Sequence, residues 1–339
     1  MKLSAFLTLS CAVLLLLPGC SPSKFAIDMT IDALTGEGSA EVFSGDSDPV
    51  LVGDALPFAL KMYESLLVSR PEHTGLLSVT GSAYVSYANA FCHLPAGMEE
   101  SWREQDRQLR RAVTLYLRGR DYSLRALEVR HPGFSEALGK KEFETLYGMA
   151  EKDDVEEIYW AAAGWFGAIA AEGFNMRRMQ EISSAYALLI QALALDESYQ
   201  KGAVHDLLIS VLPSAPKELR YRADIDPALD IVRRAEENYF LKRNIGNPPL
   251  NHFEAALHHF ERSIELNGGN LAGTFVAYAE SVTVPMQDYG RFKELLLRAL
   301  DVDIDRLPDS RLVNTLQKEK AAWLLEHADD YFLIIGEGE

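Results

Sequence analysis

Apolar and polar positions alternate at helical spacing along almost the whole chain. The clearest stretch is residues 252–270, H-F-E-A-A-L-H-H-F-E-R-S-I-E-L-N-G-G-N. Ala256, Phe260, Ser263 and Ile264 recur three and four residues apart, which places them on one face of a helix. The small residues at 256 and 263 let a neighbouring helix come close, Phe260 fills the groove between them, and Gly268 and Gly269 suit the left-handed conformation that ends a helix. The pattern returns in Ala185, Leu189 and Ala192, and again in Ala59, Tyr63 and Leu66 ahead of Pro71. Each copy reads as the second helix of a helical hairpin, so the chain repeats one unit imperfectly.

The remaining elements follow from the same periodicity. A helix begins at Asp48-Pro49, an N-cap followed by a first-turn proline, or after Asp54, which would put Pro57 in the first turn; either version runs to about Ser69. Residues 74–94 carry Leu77, Thr80, Gly81 and Tyr84 at the spacing of the first helix of a tetratricopeptide unit, with Tyr84, Tyr87 and Phe91 as an aromatic stripe. Residues 99–129 form a long basic helix or pair of helices. Residues 158–171 hold no charge, and a helix apolar on every side must be surrounded. There Tyr159, Trp160, Trp165 and Phe166 either fill the core, the commoner use, or line an apolar cavity. Further helices are predicted over 185–197, 199–212, 227–241, 271–284 and 288–300, with a last one through Leu312, Leu316 and Trp323. No strand alternation stands out. The expected class is all-α, with tetratricopeptide-like hairpins packed into a compact α-solenoid.

The first residues change the picture of where this domain works. Lys2 and an apolar run through Leu17 precede Leu17-Pro18-Gly19-Cys20, the pattern of a bacterial lipoprotein signal with cleavage before Cys20 and acylation of its sulfur and amine. The run is shorter than the roughly 20 apolar residues that span a bilayer. The expected organisation is a signal peptide over 1–19, a lipidated tether and N-terminal segment over 20–48, and the helical domain over 49–339. Ser21, rather than an aspartate, after the acylated cysteine favours the periplasmic leaflet of an outer membrane, with the lipid as the only membrane contact. Cys11 leaves with the signal and Cys20 is lipidated, so Cys92 stands alone, forms no intramolecular disulfide, and is expected to be buried and inert. The formal charge of −17 becomes −17 − 1 = −18 once Lys2 is removed. A chain this acidic lacks the basic face that nucleic acid requires.

Candidate chemistry adds little. Asp301, Asp303 and Asp305 imitate the start of a calcium loop, but Arg306 stands where the turn needs glycine and Leu312 where a bidentate glutamate belongs. His252, His258 and His259 offer no third ligand of known origin and read as solvated residues. Ser21-Pro22-Ser23-Lys24 matches a serine–lysine pattern by letters alone, and no phosphate loop, dinucleotide fingerprint or nucleophile elbow occurs. The arginines at 103, 107, 110, 111, 118, 120 and 125 read as a solvated face paired to acidic neighbours. Neither an enzyme nor a metal or cofactor site is expected.

Four segments carry a closer resemblance: D-P-V-L-V-G-D-A-L-P-F-A-L-K (48–61), Y-W-A-A-A-G-W (159–165), residues 252–271, and Y-A-E-S-V-T-V-P-M-Q-D (278–288). In this order behind a lipobox they resemble the T component of TRAP-type transporters, the tetratricopeptide lipoproteins called TatT, over nearly the whole mature chain. The resemblance implies a lipid-anchored periplasmic protein that associates as a homotrimer and docks a periplasmic TRAP substrate-binding protein. It also implies an apolar channel able to pass a hydrophobic small-molecule ligand. The residues then expected to line it are Tyr84, Tyr87, Phe91, Tyr159, Trp160, Trp165 and Phe166. The chain departs from the family at Tyr199-Gln200-Lys201-Gly202-Ala203, where small residues and a glycine-rich turn are usual, so the resemblance does not define the channel wall there. The rival expectation is a scaffold lipoprotein for envelope assembly with no small-molecule ligand.

Overall fold

The computed structural model describes residues 22–36, 38–173, 175–216, 218–221, 226–243 and 251–333. Cys20, the expected lipidation site, lies outside them. The chain divides into two units, Met1–Ser39 and Ala40–Glu339. In the first, helix α1 (Pro22–Thr35) occupies a stretch whose composition predicted in part a tether.

The second unit is helical throughout its described residues, with no strand among them. Helix α2 (Pro49–Ser69) starts at Asp48, whose carboxylate accepts from the backbone N–H groups of Val50 and Leu51 at 3.0 and 3.1 Å. The N-cap at Asp48 therefore prevails over the alternative at Asp54, and Pro57 sits inside the helix, where it withholds one backbone donor. Helices α3 (Thr74–Ala88), α4 (Trp102–Arg130), α5 (Phe134–Gly139), α6 (Phe143–Met149), α7 (Val155–Glu172) and α8 (Ile182–Leu195) follow. Then come α9 (Ala203–Val211), α10 (Asp230–Lys242), α11 (His252–Asn267), α12 (Ala272–Tyr278), α13 (Tyr289–Leu300) and α14 (Arg311–Glu326). Helix α4 is a single helix rather than a pair.

Three apolar clusters hold these helices. One gathers Leu127, Phe134, Phe143, Ile158, Tyr186 and Phe240. A second joins α11 to α14 through Phe260, Phe275, Phe292 and Leu324. The third packs α2, α3 and α4 through Leu60, Tyr84, Cys92 and Tyr116. Where α3, α4 and α7 cross, glycine is a steric requirement. A Cβ on Gly119 would lie 2.7 Å from the Gly81 carbonyl oxygen, and one on Gly164 2.8 Å from that of Tyr116. Helix α14 returns to α2 and to the short helix Glu41–Ser44, bringing the end of this unit back to its beginning.

Buried polar groups lock the helix ends. Arg130, at the last turn of α4, reaches Asp154 at 2.9 Å and Glu157 at 2.5 Å at the start of α7, and Ser78 also donates to Glu157. Asn314 on α14 caps α12, accepting from Ala272 N at 2.9 Å and donating to Asn270 O at 3.0 Å.

Two features run against the predicted helices. The segment expected as a helix over 199–212 begins with a 3₁₀ turn (Tyr199–Lys201), and α9 starts only at Ala203, because Gln200, Lys201 and Gly202 all take positive φ. Helix α3 and helix α12 each pass into a π-helical turn, Asn89–His93 and Ala279–Thr283, in which the i to i+5 bond from Val284 N to Ala279 O measures 3.2 Å. Each π turn follows a Tyr-Ala pair, Tyr87-Ala88 in one and Tyr278-Ala279 merging into the other.

Candidate functional site

The seven aromatic positions divide between two of the apolar clusters. Tyr84, Tyr87, Phe91 and Trp160 belong to the cluster around α3 and α4, whereas Tyr159, Trp165 and Phe166 pack into that of α7 and α8. Tyr84, Tyr87, Trp165 and Phe166 are buried. Their polar tips are taken: Arg118 donates to the Tyr84 hydroxyl at 3.3 Å, Arg111 to that of Tyr87 at 3.0 Å, and the Trp165 indole N–H donates to Glu181 at 2.8 Å. These four side chains pack inside their clusters with their polar tips bonded. Phe91 is half-buried with its ring over Gly53, where no Cβ would fit.

Tyr159 and Trp160 differ. Both are partly accessible on a helix otherwise buried by its small residues. Their rings meet edge to face with centroids 5.1 Å apart, and Tyr199, delivered by the left-handed turn before α9, closes on Tyr159 at 5.3 Å. The Tyr159 hydroxyl has no hydrogen-bond partner among the described residues, and the Trp160 indole N–H lies beside the Tyr199 hydroxyl without closing a hydrogen bond to it. Burial raises the hydroxyl pKa of both tyrosines well above the ordinary value, and nearby carboxylates raise it further, Asp206 at Tyr159 and Glu156 at Tyr199.

Those two carboxylates define the character of the spot. Asp206 on α9 accepts from Ser263 at 2.6 Å and Thr274 at 2.9 Å, both on Oδ1. Burial still pushes its carboxyl up to about 6. Glu156 lies three and four residues before Tyr159 and Trp160, on their face of α7. Its side chain is exposed, yet burial, reinforced by the adjacent Glu157, raises its carboxyl. Tyr159, Trp160 and Tyr199 thus form one aromatic group where α7 meets the turn before α9, with Glu156 on the same face of α7. Tyr159 and Trp160 were visible in the sequence, and only the left-handed turn brings Tyr199 to them.

Of the three histidines expected in solvent, His259 is fully enclosed, His252 nearly so and His258 half-buried, because α11 packs against α9 and α10. His205 on α9 is fully enclosed beside them. His205 lies 3.6 Å from Glu197, which also pairs with Arg243 and, at 2.8 Å, with Arg262. No group of three or more potential metal ligands is found among the described residues. Four arginines of α4 form ion pairs, Arg107 with Glu104, Arg110 with Asp106, Arg118 with Glu64, and Arg120 with Asp121. In the open groove of about 570 Å³ beside them, at Arg118, Tyr122, Arg125 and Arg178, Arg178 pairs with Glu172 and Arg125 donates to the Pro71 carbonyl. Cys92 is buried, which raises its thiol pKa. No described helix is long and apolar enough to cross a membrane.

The family model described as the TRAP transporter T-component matches residues 45–219 and 246–332, which include Tyr159, Trp160 and Tyr199. An uncharacterized protein of Treponema pallidum (strain Nichols) is 29% identical over 336 residues, covering 94% of this chain and 95% of the relative.

Proposed function

The chain belongs to the TRAP transporter T-component family, and from that premise we propose that it is the lipoprotein accessory of a TRAP-type transporter, anchored through Cys20 on the periplasmic side. In this reading it assembles as a homotrimer, docks the periplasmic substrate-binding protein, and passes a hydrophobic ligand through an apolar channel. Phe91, Tyr159 and Trp160, the half-buried members of the aromatic set, line that channel together with Tyr199. Tyr84, Tyr87, Trp165 and Phe166 hold the helices that present it.

The observation that carries the ligand role is the pair Tyr159 and Trp160, partly accessible aromatic side chains on an otherwise closely packed helix. The role is tested by capture from periplasmic extract with residues 21–339 as bait, and by light scattering of the bait alone. Recovery of a periplasmic solute-binding protein, with the bait at three times its monomer mass, supports the proposal. Recovery of envelope-assembly proteins instead, with a monomeric bait, replaces it by the scaffold role.

A further inference from the structure

The first turns of α4 present a basic face to solvent. Arg103, Arg107 and Arg110 recur four and three residues apart along it, with Arg111 alongside. Arg103 forms no ion pair among the described residues, and the side chains of Arg107 and Arg110 stay 76% and 78% exposed beside Glu104 and Asp106. Exposed pairs of that kind contribute little and leave their cations available to another charge. Over residues 102–111 four arginines thus stand against two carboxylates, in a chain whose formal charge is −17. Trp102, the first residue of α4, is 70% exposed at the head of this face. A tryptophan left in water forgoes the burial of roughly 200 Å² of largely apolar surface.

The opposite charge gathers where the short helix Glu41–Ser44 meets the 3₁₀ turn Pro308–Ser310. An open groove of about 490 Å³ lies there, lined by Glu41, Val42, Asp46, Ile304, Asp305 and Arg311. Arg311 is taken by Asp305 at 2.8 Å. Asp48 and Asp303 stand next to lining residues in sequence, and Asp309 lies in the turn itself. Glu41 and Asp309 are exposed, and their side chains form no hydrogen bond or ion pair among the described residues. Val42, 71% exposed, and Ile304 supply the apolar part of the lining.

From this complementarity we propose that the groove receives the first turns of α4 from a second copy of the chain. Trp102 enters between Val42 and Ile304, and Arg103 and Arg107 meet Glu41 and Asp309. Tryptophan and arginine are the residue types that concentrate binding energy at protein interfaces. An anionic lipid surface is a poorer occupant, since it would face the groove's own carboxylates. The two patches come from different parts of the chain, so the contact is head-to-tail, and such contacts close into rings. The proposal rests on the homotrimer reading for the number of copies in the ring.

The test is sedimentation equilibrium of the full chain in density-matched detergent. A trimer is expected, weakened severalfold when salt rises from about 0.05 to about 0.5 M, which shortens the screening length about threefold. Trp102→Ala, the pair Glu41→Lys with Asp309→Lys, and the pair Arg103→Glu with Arg107→Glu are each expected to weaken the contact about thirtyfold or more. All five side chains are exposed, so helix content by circular dichroism is expected to match that of the parent. A chain carrying both reversed pairs again sets opposite charges across the contact and is expected to recover the trimer. A parent trimer that none of these changes weakens overturns the contact and leaves the homotrimer reading standing. Weakening by each reversed pair without recovery in the combined chain overturns the pairing of the two patches. A parent dimer that shows the same losses and recovery keeps the contact and overturns the count of three, and a monomeric parent overturns both readings.

Discussion

The Nδ1 atoms of His205 and His259 lie 2.9 Å apart, with both rings fully enclosed between α9 and α11. Such a contact requires one nitrogen to donate and the other to accept, so the pair holds together only with at least one ring neutral. With the Nε2–H of His205 turned toward Glu197, His205 Nδ1 accepts from His259, and His259 Nε2 remains a buried lone pair without a partner.

Stability is therefore expected to fall on acidification. Burial and the nearby Arg262 hold His205 down to about 3, and burial with His205 and His258 beside it holds His259 well below the ordinary imidazole value. His258, facing the same cluster with Arg243 and Tyr239, is lowered to about 4. The unfolded chain binds these protons first, so the contribution is complete above pH ~6.5 and is lost as pH falls toward the folded values. Asp206 and Glu156 run the other way, their raised carboxyls favouring the folded state as pH falls, Asp206 below about pH 6, but they are two groups against three. Melting temperatures recorded from pH 7.5 down to 5 are expected to fall steadily, and His259→Leu is expected to flatten that slope. An unchanged slope would refute the assignment.

Gly119→Ala is expected to destabilise the protein by about 1–3 kcal/mol, because the new methyl meets a backbone oxygen that cannot move aside. Gly148→Ala, on α6 where nothing lies within 4 Å of the new Cβ, is expected to stabilise by up to about 1 kcal/mol through helix propensity. Chemical denaturation of the two variants checks both signs together.

Arg130→Met leaves the Glu157 carboxylate, 1% exposed, without its counter-ion and is expected to cost about 3 kcal/mol or more. Adding Glu157→Gln is expected to recover most of the loss, whereas additive losses in the double variant would show that Arg130 acts through packing alone.

Trp165 and Trp160 separate structure from ligand binding. Trp165→Ala, which empties a buried position under Arg120, is expected to lower stability by about 3 kcal/mol. Trp160→Leu is expected to lower the binding of 1-hexanol, measured by calorimetric titration, with a much smaller effect on melting. Equal behaviour of the two variants in both assays would contradict the division of the seven aromatic positions made above.

Helix placement was legible because periodicity and caps are local: Asp48, Gly268 and Asp288 each stand where their helix starts or ends. The candidate site was legible only in part. Tyr159 and Trp160 were visible as aromatic residues in a charge-free helix, but which of their neighbours would be covered depends on packing from other helices. Trp165, Phe166 and the tyrosines of α3 have the same spacing and a different fate. Tyr199 was hidden because Gln200 and Lys201 take left-handed conformations that their residue types seldom adopt. The histidines of α11 looked solvated because polarity alone does not reveal that α9 carries a histidine to meet them.

The two π turns carry a consequence for which deletions the protein tolerates. An α-helix that takes in one residue too many can keep its remaining contacts by widening one turn. Asn89–His93 and Ala279–Thr283 each hold such a residue. Removing one residue inside either turn is therefore compatible with an uninterrupted α-helix whose two flanks stay in register, whereas the same deletion elsewhere in α3 or α12 turns the residues that follow by about 100° away from their partners.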